Sequence, residues 1–110
     1  DFRRPLMGIC AGMQVISALY GGSVVFSPAI GLTEIDIIED GSLLGEARPL
    51  EVYQLHNHAA SLPEGFVLMA GSRDAPMAFR HPIRPTFGLL FHPEVRCRWI
   101  LERFANLPVY

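Results

Sequence analysis

Leu6-Met7-Gly8-Ile9-Cys10-Ala11-Gly12-Met13-Gln14-Val15-Ile16-Ser17-Ala18-Leu19-Tyr20 is the stretch on which the fold turns. Leu6 to Ile9 is nearly all apolar, the pattern of a strand buried on both faces of a parallel sheet. From Gly12 the apolar residues Met13, Ile16 and Leu19–Tyr20 recur at helical spacing, which predicts a helix over 12–20. Gly21-Gly22 then supplies its C-terminal stop. A strand that passes at once into a helix is the unit of an α/β fold. A buried central strand needs neighbours on both sides, and little chain precedes Leu6 to provide one. The expectation is a piece of a longer α/β protein, with residues 1–110 forming one partial domain.

Outward from that unit, short strand-like runs are divided by turn residues. Thr33–Ile38 alternates Ile35 and Ile37 with Glu34 and Asp36, a half-exposed strand. Glu51–His56, Phe66–Ala70, Met77–Arg80 and Thr86–Phe91 read as further strands, and Val95–Ala105 as a closing helix. Composition narrows the class. Half of the residues are hydrophobic and the net charge is only −2, which excludes a disordered chain. No basic run points to nucleic acid or an anionic membrane. The apolar run around Val24–Phe26 is too short to span a bilayer. Two cysteines, Cys10 and Cys97, without a secretion signal favour a reducing cytoplasm, and the lack of CxxC spacing argues against a structural zinc site.

The chemistry is concentrated in Gly8-Ile9-Cys10-Ala11-Gly12, a G-x-C-x-G between strand and helix. It is the thiol version of the nucleophile elbow, in which a sharp turn lifts the reactive side chain off the sheet. Flanking glycines let the neighbouring backbone come close. The helix N-terminus sets free N–H groups and partial positive charge beside the sulfur, which favours the thiolate. The backbone N–H of Ala11 is placed to donate to an oxyanion. The competing reading is a small buried cysteine in a glycine-rich turn, since buried cysteines are common and mostly inert.

A thiolate nucleophile needs a proton shuttle and a group that orients it. His92 stands at the end of an apolar strand, where ligands bind in open α/β sheets, and Pro93-Glu94 follows. Residues two apart in an extended segment project to one side, and Pro93 restrains the backbone between them. Glu94 can therefore reach the far ring nitrogen of His92 and hold one tautomer, the Cys–His–carboxylate logic of a hydrolytic triad. A strand-end histidine before a helix-initiating Pro-Glu is the plainer alternative. His81 reads as solvated loop. His56-Asn57-His58 admits a metal pair, but no third ligand of suitable spacing accompanies it; a substrate-contacting or capping loop fits better. Cys97 reads as a plain helix residue.

Gly8-Ile9-Cys10-Ala11-Gly12-Met13-Gln14 resembles the G-[IV]-C-x-G-x-Q signature of class I (triad-type) glutamine amidotransferases, and Phe91-His92-Pro93-Glu94-Val95 resembles their F-H-P-E segment. Gly21-Gly22, Leu62-Pro63-Glu64-Gly65-Phe66 and Gly88 are similar too, from about Pro5 onward. Val95 and the L-P-E-G-F segment look most like the GMP synthase branch. The resemblance implies a flavodoxin-like three-layer α/β sandwich, incomplete at its N-terminus. It implies that Cys10 attacks glutamine, that His92 moves the proton, that Glu94 orients His92 and that Gln14 lies at the glutamine pocket. It also implies ammonia delivery to a synthetase domain or subunit, with no metal or cofactor for the glutaminase step.

The chain departs from the family at Leu90, where Gln is common, and at Leu55-His56-Asn57-His58, where S-H-x-D is frequent. That loop helps place the glutamine backbone or couples to the partner. Two further readings stay open: a cysteine hydrolase of the same scaffold acting on γ-glutamyl peptides, and a weak or regulatory module. The family's upstream glycine-rich loop, which donates a second oxyanion N–H, has no counterpart in these residues, and losing one such donor costs about 100- to 1000-fold in rate. These 110 residues are accordingly expected to hydrolyse glutamine poorly; turnover at the rate of a full-length domain would contradict that expectation.

Overall fold

The structure, a computed structural model, describes residues 4–107. In chain order its elements are β1 (Leu6–Ile9), α1 (Ala11–Leu19), β2 (Val24–Asp36), β3 (Pro49–Ala60), β4 (Val67–Gly71), β5 (Pro76–Arg80), β6 (Thr86–Leu89) and α2 (Trp99–Ala105). One sheet has the order β1-β6-β5-β4, and β2 and β3 form a separate hairpin. The strand β1 pairs in parallel with β6, from Leu6 opposite Thr86 to Ile9 opposite Leu89. The pairs β5–β6 and β4–β5 are antiparallel.

Alternation along β6 explains the layering. Phe87 and Leu89 face one side with Phe91 beyond them, in a cluster with Ile35, Leu44, Val52, Met69 and Ile100. On the other side Leu90 joins Met13 and Ile16 of α1, Phe66 and Phe79. Every residue of β6 is buried, as a strand covered on both faces must be. The sheet thus lies between α1 and a layer made by the hairpin and α2, a mixed α/β architecture.

Close approach of α1 depends on two glycines. An ideal Cβ on Gly8 would stand 2.5 Å from the carbonyl carbon and oxygen of Gly12 and 2.7 Å from Cδ1 of Ile16. One on Gly88 would strike the Phe79 ring and stand 2.9 Å from Cγ of Met13.

Several elements differ from the sequence reading. Among the described residues β1 pairs with β6 alone, and Leu6 is 53% exposed. The β2 strand begins at Val24, nine residues before the expected Thr33, because Ser27-Pro28 is absorbed by a register shift between Phe26 and Ala29. Proline has no N–H to give a ladder and is tolerated at such a bulge. The closing helix starts at Trp99, not Val95: Cys97 has φ 73, a left-handed conformation that interrupts helical backbone. Cys97 is therefore not a helix residue. His81 is half-buried, not solvated; its Nδ1 accepts the N–H groups of Ile83 and Arg84, and its ring packs edge-on against Tyr20 and Phe66.

The packing generates a contrast among glycine substitutions. Gly8→Ala and Gly88→Ala overpack the α1 interface and are expected to cost about 1–3 kcal/mol or more. At Gly12, inside α1, an added Cβ meets nothing within 4 Å, and Gly12→Ala is expected to gain about 0.5–1 kcal/mol. Urea unfolding followed by circular dichroism measures all three, and equal effects would contradict the packing account.

Candidate active site

Cys10 is the single residue between β1 and α1, with φ 54 and ψ −104. Residues other than glycine rarely adopt such a backbone, and holding one there costs about 1–3 kcal/mol. Two hydrogen bonds fix it. The Cys10 N–H donates to the Leu89 carbonyl at 2.7 Å, extending the β1–β6 pairing, and its carbonyl accepts the N–H of Gln14 at 3.1 Å, opening the helix. The thiol is thereby held at the C-terminal end of β1. Ala11 is the first helical residue, so its N–H lies ahead of the helix's own ladder.

His92 reaches the same place from β6. Its backbone N–H donates to the Tyr53 carbonyl at 2.8 Å, which pins the segment after β6 to β3. Its Nδ1 lies 2.9 Å from Oε2 of Glu94, and its Nε2 lies 3.1 Å from the Leu55 carbonyl. The same carbonyl accepts the Cys10 thiol at 3.5 Å. One backbone oxygen therefore brings the sulfur and the imidazole together. Both ring nitrogens face acceptors. A neutral imidazole carries one N–H, so only the doubly protonated ring donates to Leu55 and Glu94 at once.

Glu94 is half exposed at 51% of its side-chain surface. Burial pushes its carboxyl up, but hydrogen bonding to His92 and to its own backbone, with the charge of His92, outweighs this and holds it below its ordinary value. Cys97 behaves differently from a nucleophile. Burial pushes its thiol up against the pull of Arg96, and its Sγ donates to the Glu51 carbonyl at 3.3 Å.

Leu55 and Tyr53 hold the candidate site together, and the sequence reading missed them. They act through carbonyls, so no side-chain signature marks them. Strand alternation offers the one available signal: the carbonyls of Glu51, Tyr53 and Leu55, two residues apart on β3, receive Cys97, the His92 backbone, and the Cys10–His92 pair.

The other expected site residues scatter. The Gln14 side-chain amide donates to the His58 carbonyl at 2.9 Å, linking the first turn of α1 to β3. His56 is buried at 8% exposure, with Nε2 2.8 Å from Oε1 of Gln54 and Nδ1 without a partner. Burial holds its pKa below the ordinary value, against the pull of the nearby Ser27 and His58 backbone, and nearby His92 adds to the lowering. Asn57 and His58 are exposed, with His58 edge-on to Phe26 at 5.7 Å. The structure thus gathers Cys10, His92 and Glu94, ties Gln14 to β3 beside them, and turns His56 inward; His56-Asn57-His58 lies within β3 and is not the expected loop. Among the described residues no three His, Cys, Asp or Glu side chains are grouped to hold a metal ion, and no helix is long and apolar enough to cross a membrane.

Comparison with known proteins places this geometry. The family model for class-I glutamine amidotransferase matches residues 1–100. The chain is similar to a GMP synthase [glutamine-hydrolyzing] subunit of Methanosarcina acetivorans, with 41% identity over 96 residues, covering 83% of this chain and 51% of that protein. It is also similar to the corresponding GMP synthase subunit of Thermococcus kodakarensis, 37% identical over 100 residues, covering 86% and 53%. The chain spans about half the length of these relatives. A solved structure from Thermoplasma acidophilum, described as a GMP synthase subunit, superposes with a TM-score of 0.82 at 33% identity, over 91% of this chain and 55% of that one. A Thermotoga maritima glutamine amidotransferase superposes at 0.71 with 25% identity, over 93% and 45%. With most of its length matched by the family model and the fold shared with solved members, the chain belongs to the class-I glutamine amidotransferases.

Proposed function

We propose that this chain carries the glutamine-hydrolysing centre of a GMP synthase-type amidotransferase, with Cys10, His92 and Glu94 as its catalytic set. The observation that carries the reading is the shared Leu55 carbonyl, which holds Cys10 and His92 side by side while Glu94 takes the opposite ring nitrogen. The Cys10 thiolate attacks the side-chain amide carbon of glutamine and forms a tetrahedral oxyanion. The Ala11 N–H at the head of α1 donates to that oxygen. His92 passes its Nε2 proton to the departing nitrogen, the C–N bond breaks, and ammonia leaves behind a γ-glutamyl thioester. His92, now neutral at Nε2, takes a proton from water; the hydroxide adds to the thioester carbon, the C–S bond breaks, and glutamate is released with the Cys10 thiolate and the protonated His92 restored.

Glu94 keeps the Nδ1 proton in place throughout, which aims Nε2 at the sulfur. Gln14, on the first turn of α1, and the exposed Asn57 and His58 form the side of the site where the glutamine backbone binds. His56 supports that stretch of β3 from its buried face. Ammonia then passes to a synthetase domain or subunit. The similarity to GMP synthase subunits supports that destination, and it makes a cytoplasmic site of action the natural one.

Two substitutions test the assignment on the same preparation. Cys10→Ser is expected to lower glutaminase turnover by about three orders of magnitude or more. Glu94→Gln is expected to lower it by about 10- to 100-fold, less than for a fully buried orienting acid, because Glu94 is half exposed. The pH dependence follows from the depressed carboxyl. Its support of His92 is fully present above the ordinary glutamate value of 4.5 and is lost as pH falls through the lower folded value. The wild type should therefore show an acid limb in stability that Glu94→Gln lacks. An unchanged rate in Glu94→Gln would remove Glu94 from the catalytic set.

A further inference from the structure

Trp99 is the single tryptophan of the chain and opens α2. Two guanidiniums lie against it: Arg48, just ahead of β3, at 5.7 Å from the ring centroid, and Arg103, in the last turn of α2, at 5.1 Å. Each contact alone is an ordinary cation–π pair. Their convergence is not. The Nη1 atoms of Arg48 and Arg103 stand 3.2 and 3.3 Å from the point a Cβ on Gly45 would occupy. Two cations from different elements thus bracket one small volume.

That volume is open because residue 45 is glycine. Gly45 has φ 85, the left-handed conformation, in a tight loop closed by hydrogen bonds from Gly41 N–H to the Gly45 carbonyl at 2.8 Å and from Gly45 N–H to the Ser42 carbonyl at 3.0 Å. The recess is about 270 Å³ and is lined by Gly45, Glu46, Arg48, Trp99 and Arg103.

The charge is unbalanced. Arg80 is neutralised by Glu39 and Arg96 by Glu51. Arg103 has no carboxylate partner among the described residues. The Arg48 Nη1 donates to the Leu44 and Glu46 carbonyls at 3.4 and 2.9 Å, which anchors the group without neutralising it. The Glu46 side chain is the one carboxylate at the recess, and its residue is exposed. Like charges held this close repel, and an anion between them reverses the sign of the interaction. With the Nη1 N–H groups of Arg48 given to those carbonyls, its Nη2, 3.9 Å from the Cβ point on Gly45, and the Arg103 guanidinium are left to face the oxygens of a tetrahedral oxyanion, a planar match that a single point charge does not offer.

We propose that the recess between Arg48 and Arg103 is a binding site for a phosphate-class oxyanion, either inorganic phosphate or the phosphate of a small phosphomonoester. It uses none of the residues assigned to glutamine hydrolysis. Gly45 is needed because any side chain there would fill the space the anion takes.

Trp99 reports the site directly, since it is the sole source of tryptophan fluorescence. The full chain is titrated with inorganic phosphate and with glycerol phosphate at constant ionic strength, sodium chloride serving as the reference salt. The expected result is a saturable change in Trp99 emission, with affinity weakened about tenfold or more in Arg48→Gln and in Arg103→Gln and unchanged in Arg73→Gln. Arg48→Lys and Arg103→Lys keep the charge but lose the fork, and should fall in between. Equal affinity for the two anions identifies free phosphate as the ligand class, and tighter glycerol phosphate identifies the ester. The proposal is overturned if the wild type shows no saturable change with either anion. It is equally overturned if the two glutamine variants, folded by far-ultraviolet circular dichroism, bind as the wild type does.

Discussion

The carbonyl of Leu55 is the point on which the site depends. It accepts from the Cys10 thiol and stands 3.1 Å from Nε2 of His92, two groups that reach it from different strands of the main sheet. Two residues back, the Tyr53 carbonyl holds the His92 backbone, and two further back the Glu51 carbonyl holds Cys97. The edge of β3 that faces away from β2 therefore acts as a row of acceptors along which the segment from His92 to Cys97 is laid. Extended backbone repeats every second residue, so a straight strand supplies such a row without any special side chain. The hairpin formed by β2 and β3 is a separate two-stranded sheet, yet it determines where Cys10 and His92 meet.

Packing beneath the site maintains this arrangement. Gly8 and Gly88 let α1 settle onto β1 and β6 closely enough for Met13 and Ile16 to bury against Phe79 and Leu90. Cys10 is the hinge of that contact, and its uncommon backbone angles persist because Leu89 and Gln14 bind it from either side. The strained backbone of Cys10, supported by a tight helix–strand contact, leaves the thiol little freedom to turn away from Leu55. Glu94 contributes at the other end, where its carboxyl stays ionised against the cost of burial because it faces His92.

Much of this was legible in the sequence because it rests on side chains and short-range patterns. The elbow around Cys10, the strand before it and the helix after it follow from glycine spacing and apolar periodicity. The contact between His92 and Glu94 follows from the two-residue repeat across Pro93. What could not be read depends on the backbone or on distance. Leu55 and Tyr53 act through carbonyls, which every residue has. The length of β2 was hidden because Ser27-Pro28 looks like a break until a bulge absorbs it. Cys97 carries a left-handed backbone with no glycine to announce it, so α2 reads too long. His56 looks like a surface ligand because the burial of its side of β3 comes from the tertiary fold. Arg48 and Arg103 meet on Trp99 only after the chain has folded.

The central claim is that Cys10 is the nucleophile of a glutamine site, set apart from Cys97 by its surroundings. Labelling the chain with a glutamine-like electrophile, with free glutamine as competitor and intact mass as the readout, measures this most directly. The account predicts one label, located on Cys10, slowed by glutamine and absent in Cys10→Ser. Equal labelling of Cys10 and Cys97 without protection by glutamine would contradict it.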